Sequence, residues 1–179
     1  FIPGAHNLEN AMLCALLAIS QGIGFDVIRE TLRIFRGVEH RIEHVCERSG
    51  VTYINDSKGT NPDSTIKAVE AMVKPTVLIL GGFDKHSEFD GVFAVCPGKI
   101  RAFVVLGATK EKILESARRA GMGELCHTAG TFAEAVDLAR DLARPGDAVL
   151  LSPACASWDM FDNYEQRGRV FKDIVRAYK

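Results

Sequence analysis

Four short runs of apolar and β-branched residues constrain this chain more than any other feature. They are Val51–Ile54, Thr76–Leu80, Ala102–Leu106 and Ala148–Leu151, with shorter runs at Ile42–Cys46 and Leu125–Thr128. A strand that is apolar along its whole length expects cover on both faces. Between most of the runs the apolar residues recur every three or four positions, the spacing that gathers side chains on one side of a helix. One such stripe runs through Ile66, Val69 and Val73, and a second through Ile113, Leu114 and Ala117. Phe132, Ala135, Val136, Ala139 and Leu142 form a third, while Val170, Phe171, Ile174, Val175 and Tyr178 form the last. Strand alternating with helix predicts an α/β fold, a mostly parallel sheet with helices on both faces. Two helix starts are marked as well. Asn61-Pro62 sets a cap before a proline at the first helical position, and Thr131 with Glu134 three later reads as a capping box.

Residues before this pattern have a different texture. Leu8 to Gln21 reads as a helix apolar on nearly every side, through Met12, Leu13, Leu16, Leu17 and Ile19, and so expects burial on several sides. A second helix, Asp26 to Phe35, ends before Gly37. Two helices without a strand look like the end of a preceding domain, which divides the chain into 1–37 and 38–179. The chain opens at Phe1 rather than at a methionine, so a piece of a longer protein is expected.

Composition narrows the function classes. With 22 basic and 23 acidic residues the net charge is −1, so nothing suggests broad attraction to nucleic acid or an anionic membrane. No apolar run reaches the ~20 residues that span a bilayer, and membrane insertion is not expected. The five cysteines are widely spaced and odd in number, which favours buried free thiols in a reducing cytoplasm over disulfides or zinc. The five histidines show no metal-ligand spacing. There is no GxxxxGK[ST] loop, no GxGxxG and no GxSxG. The sequence therefore offers no catalytic nucleophile, base or metal cluster of its own.

In an open α/β sheet, ligands gather beyond the carboxyl ends of the strands. The polar residues fall there. Asn55-Asp56-Ser57-Lys58-Gly59-Thr60-Asn61 follows one run, Gly81-Gly82-Phe83-Asp84-Lys85 another, and Ser152-Pro153-Ala154-Cys155-Ala156-Ser157-Trp158-Asp159 a third. Each loop alone could be a turn with a helix cap, and each lysine a solvated surface residue. Convergence changes the reading. Lys58, Lys85, Thr60, Ser157 and a helix N-terminus near Asn61, aimed at one crevice, would hold a small dianion by charge and by oriented donors.

At these loops the sequence resembles the Mur ligases, and within them the branch that adds D-glutamate. The resemblance runs nearly end to end through four ordered segments. They are Gly4-Ala5-His6-Asn7-Leu8-Glu9-Asn10, Glu39-His40-Arg41-Ile42-Glu43, Tyr53 through Pro62, and Leu151 through Phe161 with Arg167-Gly168 beyond. It implies a Rossmann-like C-terminal domain, preceded by the end of a central ATPase domain. It also implies a reaction: ATP phosphorylates the carboxylate of UDP-linked muramoyl-alanine, and the amine of D-glutamate attacks the acyl phosphate to form an amide. By matching positions, Asn7 and Asn10 would lie near adenine, Arg41 at the ATP phosphates and Asp56 at a ribose hydroxyl. Lys58, Thr60, Lys85, Ser157, the backbone at Trp158 and the ring of Tyr164 would line the D-glutamate pocket. Phe83 and Gly59 depart from the tyrosine and alanine common in the family. The phosphate loop, the carbamylated lysine and the Mg2+ ligands of the family would lie upstream, and a cytoplasmic monomer is expected.

Two other readings stay open on the sequence. One is a different amino-acid-adding ligase, another Mur step or a folylpolyglutamate synthase relative. The other is a non-enzymatic Rossmann-like binding module. Under the ligase reading, residues 1–179 alone should form no amide bond. Product formation by the isolated chain, followed by mass spectrometry, would contradict this.

Overall fold

The computed structural model describes residues 4–84 and 86–178. Helices α1 (Ala5–Ser20) and α2 (Phe25–Ile34) come first. Strands β1 (Glu43–Arg48), β2 (Val51–Asn55), β3 (Thr76–Gly81), β4 (Ile100–Leu106), β5 (Cys126–Thr128) and β6 (Ala148–Leu151) then build one sheet. Helices α3 (Pro62–Glu70), α4 (Asp90–Ala94), α5 (Lys110–Arg119), α6 (Phe132–Leu142) and α7 (Tyr164–Ala177) pack on it. The strand order is β1-β2-β6-β3-β4-β5, and every pair is parallel except β1 with β2. All six expected strands form. The first is the antiparallel arm of a hairpin turned at Ser49 and Gly50, whose φ values of 51° and 76° are those a two-residue turn needs to match the strand twist.

The uninterrupted apolar runs are explained by two cores. In β3, Leu78 and Leu80 point to one face, where they meet Val69 and Met72 with Phe89, Phe93, Ile113 and Ala117, from α3, α4 and α5 and their ends. Val77 and Ile79 point to the other and meet Phe132, Val136 and Ala139 of α6 and Phe171 and Val175 of α7. Helix α4 was not foreseen, because five residues are too few to show a period. The third member of the expected α3 stripe is also corrected. The helix ends at Glu70, so Val73 turns outward at 96% exposure and Met72 takes its place in the core.

Both helix starts are capped as read, with one difference. The Asn61 side chain accepts from the Ser64 N–H, and Thr131 Oγ1 accepts from the Glu134 N–H. The Glu134 carboxylate, however, reaches back to the Gly130 N–H at 2.9 Å, one residue before the cap.

The burial expected around the first helix is not met within the described residues. Leu8, Met12, Leu13, Leu16 and Leu17 are all exposed, and α2 buries no residue. The physical reason is that α3 to α7 already fill both faces of the sheet, so that α1 packs chiefly on α2 among the described residues. Cysteine burial is mixed too. Cys96 and Cys155 are buried free thiols, Cys46 and Cys126 are half-buried, and Cys14 is exposed. Among the described residues no helix is long and apolar enough to cross a membrane.

Replacing Leu78, fully buried in the first core, should cost about 2–5 kcal/mol as Leu78→Ala. Leu16→Ser on exposed α1 should change the stability of this chain by less than ~0.5 kcal/mol. Urea denaturation of both variants checks the contrast.

Candidate functional site

Because β6 lies between β2 and β3, the carboxyl ends of these strands are neighbours, and their three loops meet. The Asp56 N–H donates to Leu151 O at 2.7 Å, and the Ala154 N–H to Gly59 O at 2.9 Å. On the other side, the Gly81 N–H donates to Pro153 O, while Phe83 and Ala156 exchange both backbone bonds. The double glycine is required for this approach. A Cβ on Gly81 would stand 1.9 Å from Leu106 O, and one on Gly82 would stand 2.3 Å from Ala156 O. Both also hold positive φ.

The Asn55-to-Ser57 segment is buried and tied on all sides. Asn55 Nδ2 donates to Glu43 Oε2 and to His40 Nδ1, and its Oδ1 accepts from the Ser57 N–H. Ser57 Oγ donates to Tyr164 O at 2.7 Å. Asp56 accepts at one oxygen from the Ile42 N–H (3.1 Å) and at the other from Ser152 Oγ (2.6 Å). Burial dominates its acidity and pushes the carboxyl up to about 6 against these donors. Gly59 is held by the same pair, since a Cβ there would meet Asp56 Oδ2 at 2.6 Å and Ser152 Oγ at 2.7 Å.

Behind the loops lies Arg167, buried to 1% exposure. Its Nε donates to Ser57 Oγ, Nη2 to Ser57 O and Cys155 O, and Nη1 to Cys155 O. Desolvation lowers the guanidinium to about 10, leaving it cationic at neutral pH. Lys172, on the same helix, donates to Glu39 and to Glu43 Oε1. His40, whose Nδ1 accepts from Asn55, is held below its ordinary pKa by burial. Its ring fills the space over Gly168, where a Cβ would come within 2.2 Å of Nδ1.

Two clefts open on this framework and share one side chain. A cleft of about 450 Å³ is lined by Arg41, Asp56, Lys58, Asn61 and Lys67. A second, of about 590 Å³, is lined by Asn7, Asn10, Leu8, Leu32, Phe35 and Val38, and again by Arg41. Arg41 stands between His40 and Ile42, both at positive φ (65° and 44°). For a β-branched residue such as Ile42 this is a strained conformation. The Asp56 carboxylate on the Ile42 N–H holds it there.

The structure thus brings Asn7, Asn10 and Arg41 to one cleft, and Arg41, Asp56 and Lys58 to the other. Lys58 Nζ also lies over the half-buried Tyr164 ring, 5.6 Å from its centroid. Thr60 is half-buried, Ser157 buried, and the exposed Trp158 leans on Phe83. These residues do not line the two clefts. Lys85 lies outside the described residues. Sequence reasoning missed Arg167, Lys172, Glu43, Asn55 and Ser152, which carry the loops without facing the clefts. All but Lys172 stand within the recognised segments, though without a role of their own.

One group among the described residues, Glu39, His40 and Glu43, brings three possible metal ligands together. Lys172 bonds both of its carboxylates, so the group does not suit a cation.

An α/β domain whose polar loops gather beyond three adjacent parallel strands is built to bind small ligands. The chain belongs to the Mur ligase family: residues 40–155 match the family described as "Mur ligase, glutamate ligase domain". It is 53% identical over 176 residues to "UDP-N-acetylmuramoylalanine--D-glutamate ligase" of Thermoanaerobacter sp. (strain X514), covering 98% of this chain and 39% of that protein. The namesake from Lachnospira eligens is 51% identical over 174 residues, covering 96% and 38%. The chain therefore spans about 39% of the length of the curated relatives it matches. Among solved structures, UDP-N-acetylmuramate-alanine ligase of Thermotoga maritima shares the fold with a TM-score of 0.72 at 18% identity, covering 99% of this chain and 39% of that one. Folylpolyglutamate synthase of Mycobacterium tuberculosis does so with 0.72 at 18%, covering 95% and 41%.

Asp56 gives the site a pH signature. Its folded pKa lies above the ordinary 3.8, so the stability it contributes is present below about pH 4 and lost as pH rises through about 6. Relative to the uncharged Asp56→Asn, the native chain should lose up to about 3 kcal/mol between pH 4 and pH 7. Parallel denaturation curves across that range test it, and a constant difference would contradict it.

Proposed function

We propose that this chain is the acceptor-binding C-terminal part of an ATP-dependent ligase that joins D-glutamate to UDP-N-acetylmuramoyl-L-alanine through an amide bond, in cytoplasmic cell-wall precursor synthesis. The observation that carries the reading is the pair of clefts meeting at Arg41, one apolar with two amides, the other lined by lysines and aspartates. The names of relatives about half identical along nearly the whole chain support it.

The residues present suit ATP. Asn7 and Asn10 offer donor and acceptor edges beside Leu32 and Phe35, the mixture an adenine ring needs. Arg41, between the clefts, presents a planar fork suited to phosphate oxygens. Bound there, ATP supplies the phosphoryl group that activates the acyl carboxylate. Asp56 is assigned to a ribose hydroxyl, which it would share with the donors it already accepts from. Mg2+ is assigned mainly to the part of the ligase upstream of this chain.

For the acceptor, Lys58, Thr60, Lys85, Ser157 and the backbone at Trp158 are assigned to the two carboxylates of D-glutamate, with Tyr164 as an aromatic wall. Lysines hold these anions by charge, while hydroxyls and N–H groups set the orientation that brings the amine to the activated carbonyl. Residues 1–37 are assigned to the end of the central ATPase domain. The exposed apolar side of α1 then packs against the rest of that domain. The enzyme is taken to act as a monomer on small-molecule substrates.

The test is phosphate release from ATP by the full-length ligase with UDP-N-acetylmuramoyl-L-alanine, comparing D-glutamate, L-glutamate, L-lysine and meso-diaminopimelate. Release with D-glutamate alone is expected, and release with another acceptor overturns the assignment. In the same enzyme, Lys85→Ala should weaken D-glutamate use about ten- to a hundredfold, the value of a charge-assisted contact, and ATP use far less.

A further inference from the structure

The turn between β4 and α5 carries none of the residues assigned to D-glutamate or ATP, yet it is bonded to both loops that flank the acceptor pocket. Toward the Gly81–Lys85 loop, Thr109 donates twice to Gly82 O, from its N–H at 3.1 Å and from Oγ1 at 2.7 Å. Three residues on, Lys112 Nζ donates to Asp84 Oδ2 at 3.0 Å. The other Asp84 oxygen accepts from the Ser87 N–H at 2.7 Å. Lys112 Nζ also lies 5.8 Å from the centroid of the buried Phe89 ring, where that loop ends. Toward the Ser157 loop, the Ala108 N–H donates to Asp159 Oδ2 at 3.0 Å, one residue beyond Trp158.

The contacts are close enough to exclude alternatives at the turn itself. Gly107, at φ 81°, has no room for a Cβ, which would stand 2.6 Å from Asp159 Oδ2 and 2.8 Å from Gly82 N. One short turn thus fixes the distance between two loops that are adjacent in space and some seventy residues apart in the chain.

We propose that the β4–α5 turn positions the acceptor pocket, with Lys112 as the positioning residue for the loop that bears Lys85. The inference rests on the D-glutamate reading above. Lys112 acts through Asp84 and touches no substrate. The side chains of the pair are 40% and 17% exposed, and ion pairs this open add little to stability. A purely structural role would therefore leave substrate kinetics unchanged, whereas a positioning role moves the KM for one substrate.

The experiment uses the full-length ligase that carries this chain, with D-glutamate and ATP varied separately. Lys112→Met keeps the apolar stem over Phe89 and removes the charge. It should raise the KM for D-glutamate roughly three- to tenfold, with the KM for ATP and the Tm unchanged. Asp84→Asn should do the same, and the double variant should be no worse than either alone, because both remove one interaction. Lys112→Arg should restore the native KM. An unchanged KM for D-glutamate in Lys112→Met, or an equal rise for ATP, overturns the proposal. Lys85→Ala separates the two levels. If it is impaired and Lys112→Met is not, only the positioning role falls; if D-glutamate use survives Lys85→Ala, the pocket assignment falls and takes this inference with it.

Discussion

The guanidinium of Arg167 is the interaction on which the site depends. It sits in the interior at the amino end of α7 and holds neutral partners, the carbonyls of Ser57 and Cys155 and the Ser57 hydroxyl. A cation taken out of water is costly unless its donors are met. Here the five-donor fork is spread over two loops that no strand contact would fix on its own. The nearby charges of Asp56 and Asp159 favour the cation through space. The desolvation that lowers the Arg167 pKa is the same burial that raises Asp56, so the two groups report one dry interior behind an open cleft.

A second polar cluster sets the direction of Arg41. Glu43 accepts from the His40 N–H, from Asn55 and from Lys172, while His40 packs against Gly168 and edge-on to Tyr164. Together with the Asp56–Ile42 bond, these contacts hold two non-glycine residues in left-handed backbone conformations. Strain of this kind persists only where surrounding bonds over-determine it. The consequence is that an exposed arginine leaves the chain at the point where two clefts meet. The segment Glu39–Glu43 is therefore mostly framework, with Arg41 as the side chain common to both clefts.

Much of the fold was legible because its physical cause is local. Strands buried on both faces must be apolar throughout, and Asn61-Pro62 and Thr131 announce caps whose partners lie within one turn. What the sequence hid was of two kinds. Helix α4 and the shift from Val73 to Met72 depend on where a short helix stops, which tertiary packing decides. The apolar α1 looked like a core helix, yet among the described residues its apolar side chains stay largely exposed. The site divides similarly. Residues that would face a ligand stand in loops with recognisable chemistry, whereas Thr109, Lys112, Lys172 and Ser152 look like ordinary residues until their partners, distant in sequence, are known.

The sequence alone determined the alternation of strand and helix, the capped helix starts, the three polar loops at strand ends and the family those loops resemble. Periodicity and side-chain chemistry are written residue by residue, so a single chain suffices to read them. The tertiary structure alone decided that β6 inserts between β2 and β3, which makes neighbours of loops nearly a hundred residues apart. It also decided that α7 supplies the buried cations beneath them, and that the β4–α5 turn braces them from the side. Strand order is set by how two cores close over one sheet, a property of the whole chain that no local pattern carries.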